Sequence, residues 1–251
     1  MIKQFTHNDI KQWADFSGDH NKVHFDKEIA VKNGLQDIIV QGMLVLMEAK
    51  LKYAPHIKAN SCVNFYLKQP VYVNEQIQYQ FSERDNKFSC KISDEENVVV
   101  TSKLNHDNQP IFDKPANKID ISADFFHEQV DLFKQEYPYV ISNWVMMDSL
   151  LFSVCFKYQK GDPFYKKALK ITKEPDKGKV VTYQADQKIY IPERLLSNEK
   201  IDFSKLSIFF EDKDVIKEDY SVYSLLDYQV MEGSQLLYQS SMGSMTKAHI
   251  A

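Results

Sequence analysis

Two side chains near the start of the chain have types and spacing that could move a proton. Asp19 and His24 lie five positions apart in the polar segment FSGDHNKVHFD, at positions 16–26. An imidazole titrates near neutral pH, and beside a carboxylate it can hold a water molecule, take its proton and return it. The pair therefore suits acid–base chemistry on a bound water.

A helix start that follows this segment offers a site for developing negative charge. The segment IIVQGMLVLMEAKLKYA, at positions 38–54, is apolar and predicts a helix that begins near Gly42. The first N–H groups of a helix lack intrahelical partners and carry a partial positive charge. They suit an oxygen that gains negative charge, such as that of a thioester.

The same polar segment permits other interpretations. Asp- and Asn-rich loops are ordinary turn chemistry, and Asp26 is expected to cap a short helix over 26–32. His20, His24 and Asp26 are all possible metal ligands, but no fourth ligand stands at a familiar spacing. We therefore expect no metal.

The elements around this segment must aim its side chains. THNDIKQWADF, at positions 6–16, predicts a helix capped by Thr6 or Asn8, with apolar residues recurring every three or four positions. Gly18 then suits a sharp turn. The helix from Gly42 is apolar around most of its circumference, which indicates burial on nearly all sides. A loop held between two buried helices could aim Asp19 and His24 at one point.

After Pro55 the hydrophobic period changes from 3.6 to 2, which indicates antiparallel strands with one buried face. Four strands are predicted at 61–67, 77–81, 88–92 and 97–105. Residues 106–120 carry two prolines and two asparagines without a period, which is typical of a linker.

Beyond this linker the order of elements recurs. A helix capped at Ser122 and a second helix over 143–156, apolar nearly all round, precede strand-like segments at 179–185, 188–192, 206–210, 219–230 and 233–245. The recurrence predicts an α+β protein with two diverged copies of one fold. The predicted halves are 1–105 and 121–251, joined by the linker 106–120.

Composition excludes several classes of function. The 251 residues carry a formal charge of -4, so no basic surplus favours nucleic acid or an anionic membrane surface. Only seven glycines occur, and none forms GxGxxG or GxxxxGK[ST]. The three cysteines form no CxxC pair. The first residues lack the apolar core of a signal peptide and no apolar run approaches ~18 residues, so we expect a cytoplasmic protein without membrane insertion.

The segment at 16–26, with IIVQGML after it, resembles the MaoC-like (R)-specific enoyl-CoA hydratase family. That family's signature is roughly S-G-D-x-N-P-x-H-x-D, followed by I-V-H-G-M. The resemblance is close over about residues 6–50 and looser to ~105. The positions in register are Ser17, Gly18, Asp19, Asn21, His24, Asp26, Gly42 and Met43.

The resemblance implies a hot-dog fold, a long helix wrapped by an antiparallel sheet, and hence a tandem double hot dog for the whole chain. It implies reversible syn addition of water to a trans-2-enoyl thioester, carried by coenzyme A or acyl carrier protein, in fatty acid metabolism and without a cofactor. Asp19 and His24 would be the catalytic pair. Asn21 would support the loop, and the Gly42 amide would bind the thioester oxygen.

Three positions depart from the family pattern. Lys22 stands where proline is usual, Gln41 replaces histidine, and Lys50 lies near the position of a small hydroxyl residue. Gln41 and Lys22 are possible substrate contacts, and Lys27, Lys50 and Lys52 are further candidates to meet the coenzyme. The departures leave two alternatives open: a non-catalytic protein that binds acyl thioesters and, less favoured, a hot-dog thioesterase.

The second half contains no D-x-N-x-x-H motif. Asp148 lies on its buried helix, in a position similar to the acid of hydroxyacyl-carrier-protein dehydratases, but no histidine occurs between 128 and 248. We therefore expect Asp148 to be a helix-capping or interface carboxylate in a degenerate half. The sequence is also compatible with a homodimer.

Overall fold

In a computed structural model that describes residues 1–85, 87–113, 117–158, 180–196, 200–218 and 221–248, ten strands form one antiparallel sheet. Their order is β1-β3-β4-β5-β2-β7-β10-β9-β8-β6. The strands of the first half therefore occupy one side of the sheet and those of the second half the other. No helix among these residues is long and apolar enough to cross a membrane.

The first half contains the four strands that its alternating pattern predicted, and each begins and ends within a few residues of the prediction. Its elements are β1 Ile2–Gln4, α1 His7–Ser17, α2 Lys27–Lys32, α3 Gly42–Tyr53, β2 Ser61–Leu67, β3 Gln76–Arg84, β4 Lys87–Ser93 and β5 Val98–Asn105. Strand β1 was not predicted. It pairs with β3 at the edge of the sheet.

The second half repeats the order of buried helix and then strands. Its elements are β6 Asn117–Ile119, α4 Ala123–Glu136, α5 Asn143–Ser153 with a π-helical turn Val154–Tyr158, β7 Val180–Ile191, α6 Glu193–Leu196, β8 Leu206–Glu218, β9 Ser221–Glu232 and β10 Gln235–Ala248. The prediction of two strands at 179–185 and 188–192 was wrong, because β7 runs through both. Residue 179 of this prediction, and residues 219 and 220 of the strand predicted at 219–230, lie outside the described residues.

The two halves meet at β2 and β7, which pair from Ser61 opposite Ile191 to Tyr66 opposite Asp186. Helices α3 and α5 contact each other, and nearly every side of each is buried, as their apolar circumferences predicted. One continuous cluster of buried apolar side chains includes residues of both halves. The halves therefore share a core as well as a sheet.

The segment between the halves is bound to the second one. The Ile111 amide donates to Gln239 Oε1 at 2.8 Å, and Gln239 Nε2 donates to the Phe112 carbonyl at 3.0 Å. Strand β6 also falls within the predicted linker 106–120. We propose that the boundary between the two halves lies near this segment.

Candidate active site

Helix α1 is fixed at both ends, and its end starts the loop of the candidate site. Thr6 and Asp9 form a capping box, in which the Thr6 amide donates to Asp9 Oδ2 at 2.7 Å. The helix closes at Gly18, whose amide donates to the Ala14 carbonyl at 2.7 Å and whose φ is 83°. This left-handed conformation favours glycine, so Gly18 turns the chain as predicted.

Short-range hydrogen bonds then shape the loop. The Asp19 amide donates to Ser17 Oγ at 3.2 Å, and the Asn21 amide donates to Asp19 Oδ1 at 3.3 Å. Asn21 Oδ1 in turn caps a single 3₁₀ turn, Lys22–His24. Asp26 Oδ1 accepts from the Ile29 amide at 3.1 Å, so Asp26 caps α2 as predicted. The loop therefore has one defined shape.

Asp19 and His24 face each other within this loop. His24 Nε2 lies 3.6 Å from Asp19 Oδ2, and the residues are only 7% and 6% exposed. His24 Nδ1 lies 2.8 Å from the Ile39 carbonyl oxygen, which can only accept, so in the neutral ring Nδ1 carries the hydrogen. The Nε2 lone pair and the Asp19 carboxylate then form two neighbouring acceptors, which one water could bridge with its two O–H bonds.

A cavity of about 500 Å³ opens beside the pair. It brings together four predicted site residues: Asp19, Asn21, His24 and Gly42. The second half contributes a further part of its lining, including Phe152, Phe156, Thr182, Gln184, Ala185 and Met242. Both halves thus contribute polar and apolar side chains to the cavity.

Helix α3 begins at this cavity with Gly42 and without a side-chain cap. Gln41, just before it, is 1% exposed and its Nε2 donates to the Ile10 carbonyl at 3.2 Å. Its side chain thus holds α1 against the start of α3 and does not line the cavity. The first α3 amides therefore meet the cavity without a capping hydrogen bond from a side chain.

The lysines proposed from the sequence are not those that line the cavity. Lys22 is exposed and away from the lining, and Lys27 pairs with Asp37 at 2.7 Å. Lys68 and Lys247, both exposed, lie at the cavity instead. Sequence reasoning missed these two because they follow or end strands far from the motif, and only the sheet brings them together.

Lys50 lies deep between the halves. Its Nζ donates to Asp148 Oδ2 at 2.5 Å and to Gln187 Oε1 at 2.8 Å, and the Tyr238 hydroxyl donates to Asp148 Oδ1 at 2.6 Å. Burial lowers the pKa of the Lys50 ammonium, and the neighbouring Asp148 charge raises it in part. Asp148 is therefore an interface carboxylate that pairs α5 with α3. Across the described residues no cluster of three His, Cys, Asp or Glu side chains could hold a metal ion.

Comparison with known sequences supports the resemblance seen in the motif. Residues 3–106 match the model of the MaoC like domain family. Over 96 residues the chain is 32% identical to a mitochondrial 3-hydroxyacyl-[acyl-carrier-protein] dehydratase of Arabidopsis thaliana, in an alignment that covers 36% of this chain and 58% of that protein. The predicted resemblance is confirmed over residues 3–106, which are similar to the MaoC like domain.

Comparison with solved structures extends over both halves. A MaoC-like dehydratase superposes with a TM-score of 0.52 at 7% identity, covering 99% of this chain and 96% of the other. A protein of Mycobacterium tuberculosis described as a double hot dog gives 0.51 at 8% identity, covering 98% and 94%. The predicted α+β double hot-dog fold is confirmed.

Proposed function

We propose that the protein is a hydro-lyase that adds water to a trans-2-enoyl thioester and, in reverse, dehydrates an (R)-3-hydroxyacyl thioester. One observation carries the proposal. Asp19 and His24 present two buried acceptors, 3.6 Å apart, to a cavity at the open start of α3. The MaoC-like match over residues 3–106 supports the same chemistry.

In the proposed reaction, one water donates to Asp19 and to His24 Nε2. As His24 takes a proton, the oxygen bonds to C3 of the substrate and the electrons of the C2–C3 double bond move toward the thioester oxygen. The proton is then returned to C2, so the elements of one water are added. Asn21 serves the pair indirectly, because its amide bonds to Asp19 and its side chain caps the turn that contains His24.

The enolate oxygen would lie at the first amides of α3, beginning with Gly42. These donors are already in place, so they need no reorganisation when charge develops. The relative from Arabidopsis acts on acyl carrier protein by its name, and we propose that either coenzyme A or a carrier protein delivers the acyl group. Lys68 and Lys247 would attract the phosphates of that carrier.

The proposal is tested by the loss of the enoyl-thioester ultraviolet band with crotonyl-CoA and longer enoyl-CoAs. We expect Asp19→Asn and His24→Ala each to lower kcat by about 10²- to 10⁴-fold, because each removes one acceptor of the water. His20→Ala is the matched control, since His20 is an exposed histidine of the same loop outside the cavity lining. Equal rates in all four proteins would refute the assigned roles.

The same assay separates the alternatives. Tight binding of the thioester without turnover would favour a non-catalytic binding protein, and release of free coenzyme A would favour a thioesterase. The cytoplasmic location, the homodimer and the absence of a cofactor stay predictions.

A further inference from the structure

The side chain of Gln184, from the second half, lies against the first residue of α3. A Cβ on Gly42 would stand 2.5 Å from Gln184 Oε1 and 3.0 Å from Leu67 Cδ2, so a larger residue at position 42 would push this carboxamide aside. Gln184 Nε2 lies 3.5 Å from Met43 Sδ. The carboxamide thus occupies the space beside the amides that would bind the thioester oxygen.

A β-bulge accounts for this placement. Successive side chains of a regular strand alternate between faces, so residues three apart point to opposite faces. Gln184 and Gln187 are three apart in β7, yet Gln184 contacts Met43 and Gln187 contacts Lys50, both on α3. Opposite them in β10, Gly243 pairs with Asp186 and Ser244 with Gln184, which leaves Ala185 as the extra residue.

The bulge thus turns Gln184 toward the helices, as bulges next to active sites do. Without the extra residue, alternation would aim Gln184 at the opposite face of the sheet from Gln187. The altered register brings a second-half side chain to the start of a first-half helix.

Gln184 Oε1 lies at Gly42 and Nε2 at Met43, so a half-turn of the terminal carboxamide would bring its NH₂ group to the position that a thioester oxygen needs. Its NH₂ group has two hydrogens, and its partner in the structure is the thioether sulfur of Met43, a weak acceptor. The side chain is half-buried and lines the cavity together with Asp19, His24 and Gly42. An enolate oxygen is a far stronger acceptor than a thioether sulfur, so the NH₂ group would gain by exchanging one for the other.

We propose that Gln184 is a further catalytic residue of the site, which donates a second hydrogen bond to the thioester oxygen beside the Gly42 amide. The inference rests on the proposed function, because it takes an acyl thioester as the ligand. The second half then supplies a hydrogen-bond donor to the reaction, in addition to part of the cavity wall.

The kinetic test uses Gln184→Leu, which keeps the volume and removes the donor, and Gln184→Glu, which replaces the NH₂ group by an oxygen. We expect kcat with crotonyl-CoA to fall about 10²-fold or more in both, with KM changed only slightly, because the lost bond forms in the transition state. Gln80→Leu, the same substitution on an exposed strand position, should keep both constants. Thermal melting of each variant verifies the fold.

A spectroscopic test works without turnover. Butyryl-CoA labelled with ¹³C at the thioester carbonyl cannot be hydrated, and a hydrogen bond to its oxygen lowers the carbonyl stretching frequency. We expect the infrared band of the bound ligand to move to higher frequency in Gln184→Leu and not in Gln80→Leu.

The two tests distinguish the two proposals. A band that shifts in Gln184→Leu when the wild type shows no turnover would refute the hydratase and leave only the hydrogen bond from Gln184 to the thioester oxygen standing. Turnover with an unchanged band and unchanged kcat in both Gln184 variants would refute the role of Gln184 alone. A wild type that binds neither butyryl-CoA nor butyryl-acyl carrier protein would refute both.

Discussion

The His24 ring is oriented by a backbone carbonyl and not by Asp19. Asp19 Oδ2 can therefore accept a hydrogen bond from a water molecule. Nδ1 is bonded to Ile39 at 2.8 Å, whereas Nε2 and Asp19 Oδ2 stand 3.6 Å apart, beyond direct hydrogen-bond range. A carboxylate bonded to the ring would share its proton. In this loop both groups remain available to one water, which is the arrangement that hydration needs.

Asp19, His24 and Gly42 of the motif lie together at the cavity, as the sequence suggested, whereas their catalytic roles stay predictions. The spacing of Asp19, His24 and Gly42 sufficed, because short local bonds and one helix start fix them. Gln41 and Lys22 were assigned to the substrate, but the structure places them outside the cavity lining. Gln41 bonds instead to the Ile10 carbonyl of α1, a long-range contact that no local pattern records, and Lys22 is exposed.

The carboxyl group of Asp186 predicts that the stability of the protein depends on pH. It lies on the face of β7 opposite Gln187, and the Tyr223 hydroxyl donates to its Oδ2 at 2.5 Å. Burial raises the pKa of Asp186 above its ordinary value, and the Tyr223 bond lowers it in part. The folded protein therefore holds this proton to a higher pH than the unfolded chain. The resulting stabilisation is complete below about pH 4 and is lost as the pH rises through the folded-state pKa.

We therefore expect Asp186→Asn to raise the free energy of unfolding at pH 7, because the variant keeps an acceptor for Tyr223 and removes the buried charge. The gain should disappear near pH 4. Urea unfolding at both pH values measures it, with Asp85→Asn, an exposed position, as the control. A gain that grows on acidification would contradict a raised pKa of Asp186 in the folded protein.

Among the secondary structure elements, α3 and α5 are joined by the buried pair of Lys50 and Asp148. Removing one member of a buried pair leaves the other charge uncompensated, which typically costs about 3–5 kcal/mol. We expect Lys50→Met to lower the free energy of unfolding by roughly this amount, and Lys50→Met with Asp148→Leu to recover part of the loss.

Urea unfolding measures this cost. Lys11→Met is the matched control, because Lys11 pairs with Asp15 on the exposed side of α1 and such pairs contribute ~0–1 kcal/mol. A loss no larger in Lys50→Met than in Lys11→Met would show that the buried pair does not hold the two helices.

Secondary structure elements were predicted from the sequence where they were long enough to show a pattern and where their contacts were local in sequence. Alternation over five residues revealed β3 and β4, and apolar segments of seven and nine residues indicated β2 and β5. Strands β1 and β6 have three residues each and show no period. Two polar residues, Asp186 and Gln187, suggested a break in β7. The sheet continues through them because Gln187 finds partners in Lys50 and Asp148. Lys50 and Asp148 are themselves 98 positions apart, so no sequence window contains the pair.

For the molecule as a whole, the shared sheet and core predict one cooperative unfolding transition. The two tryptophans report on different halves, since Trp13 lies on α1 and Trp144 on α5, and both are buried. We expect Trp13→Phe and Trp144→Phe to show the same urea midpoint whether fluorescence or circular dichroism is followed, because the core between them is continuous. A fluorescence midpoint that differs from the circular dichroism midpoint in either variant would indicate halves that unfold separately.

The pairing of β2 with β7 has a consequence for how the protein behaves on dilution. When two separate subunits build a cavity, the cavity is lost as they dissociate. In this chain both walls belong to one polypeptide, so the second wall stays at a fixed, high effective concentration. The two halves are also free to differ, because no symmetry requires the second to copy the first. Each chain thus keeps both walls of its cavity, however few molecules are present.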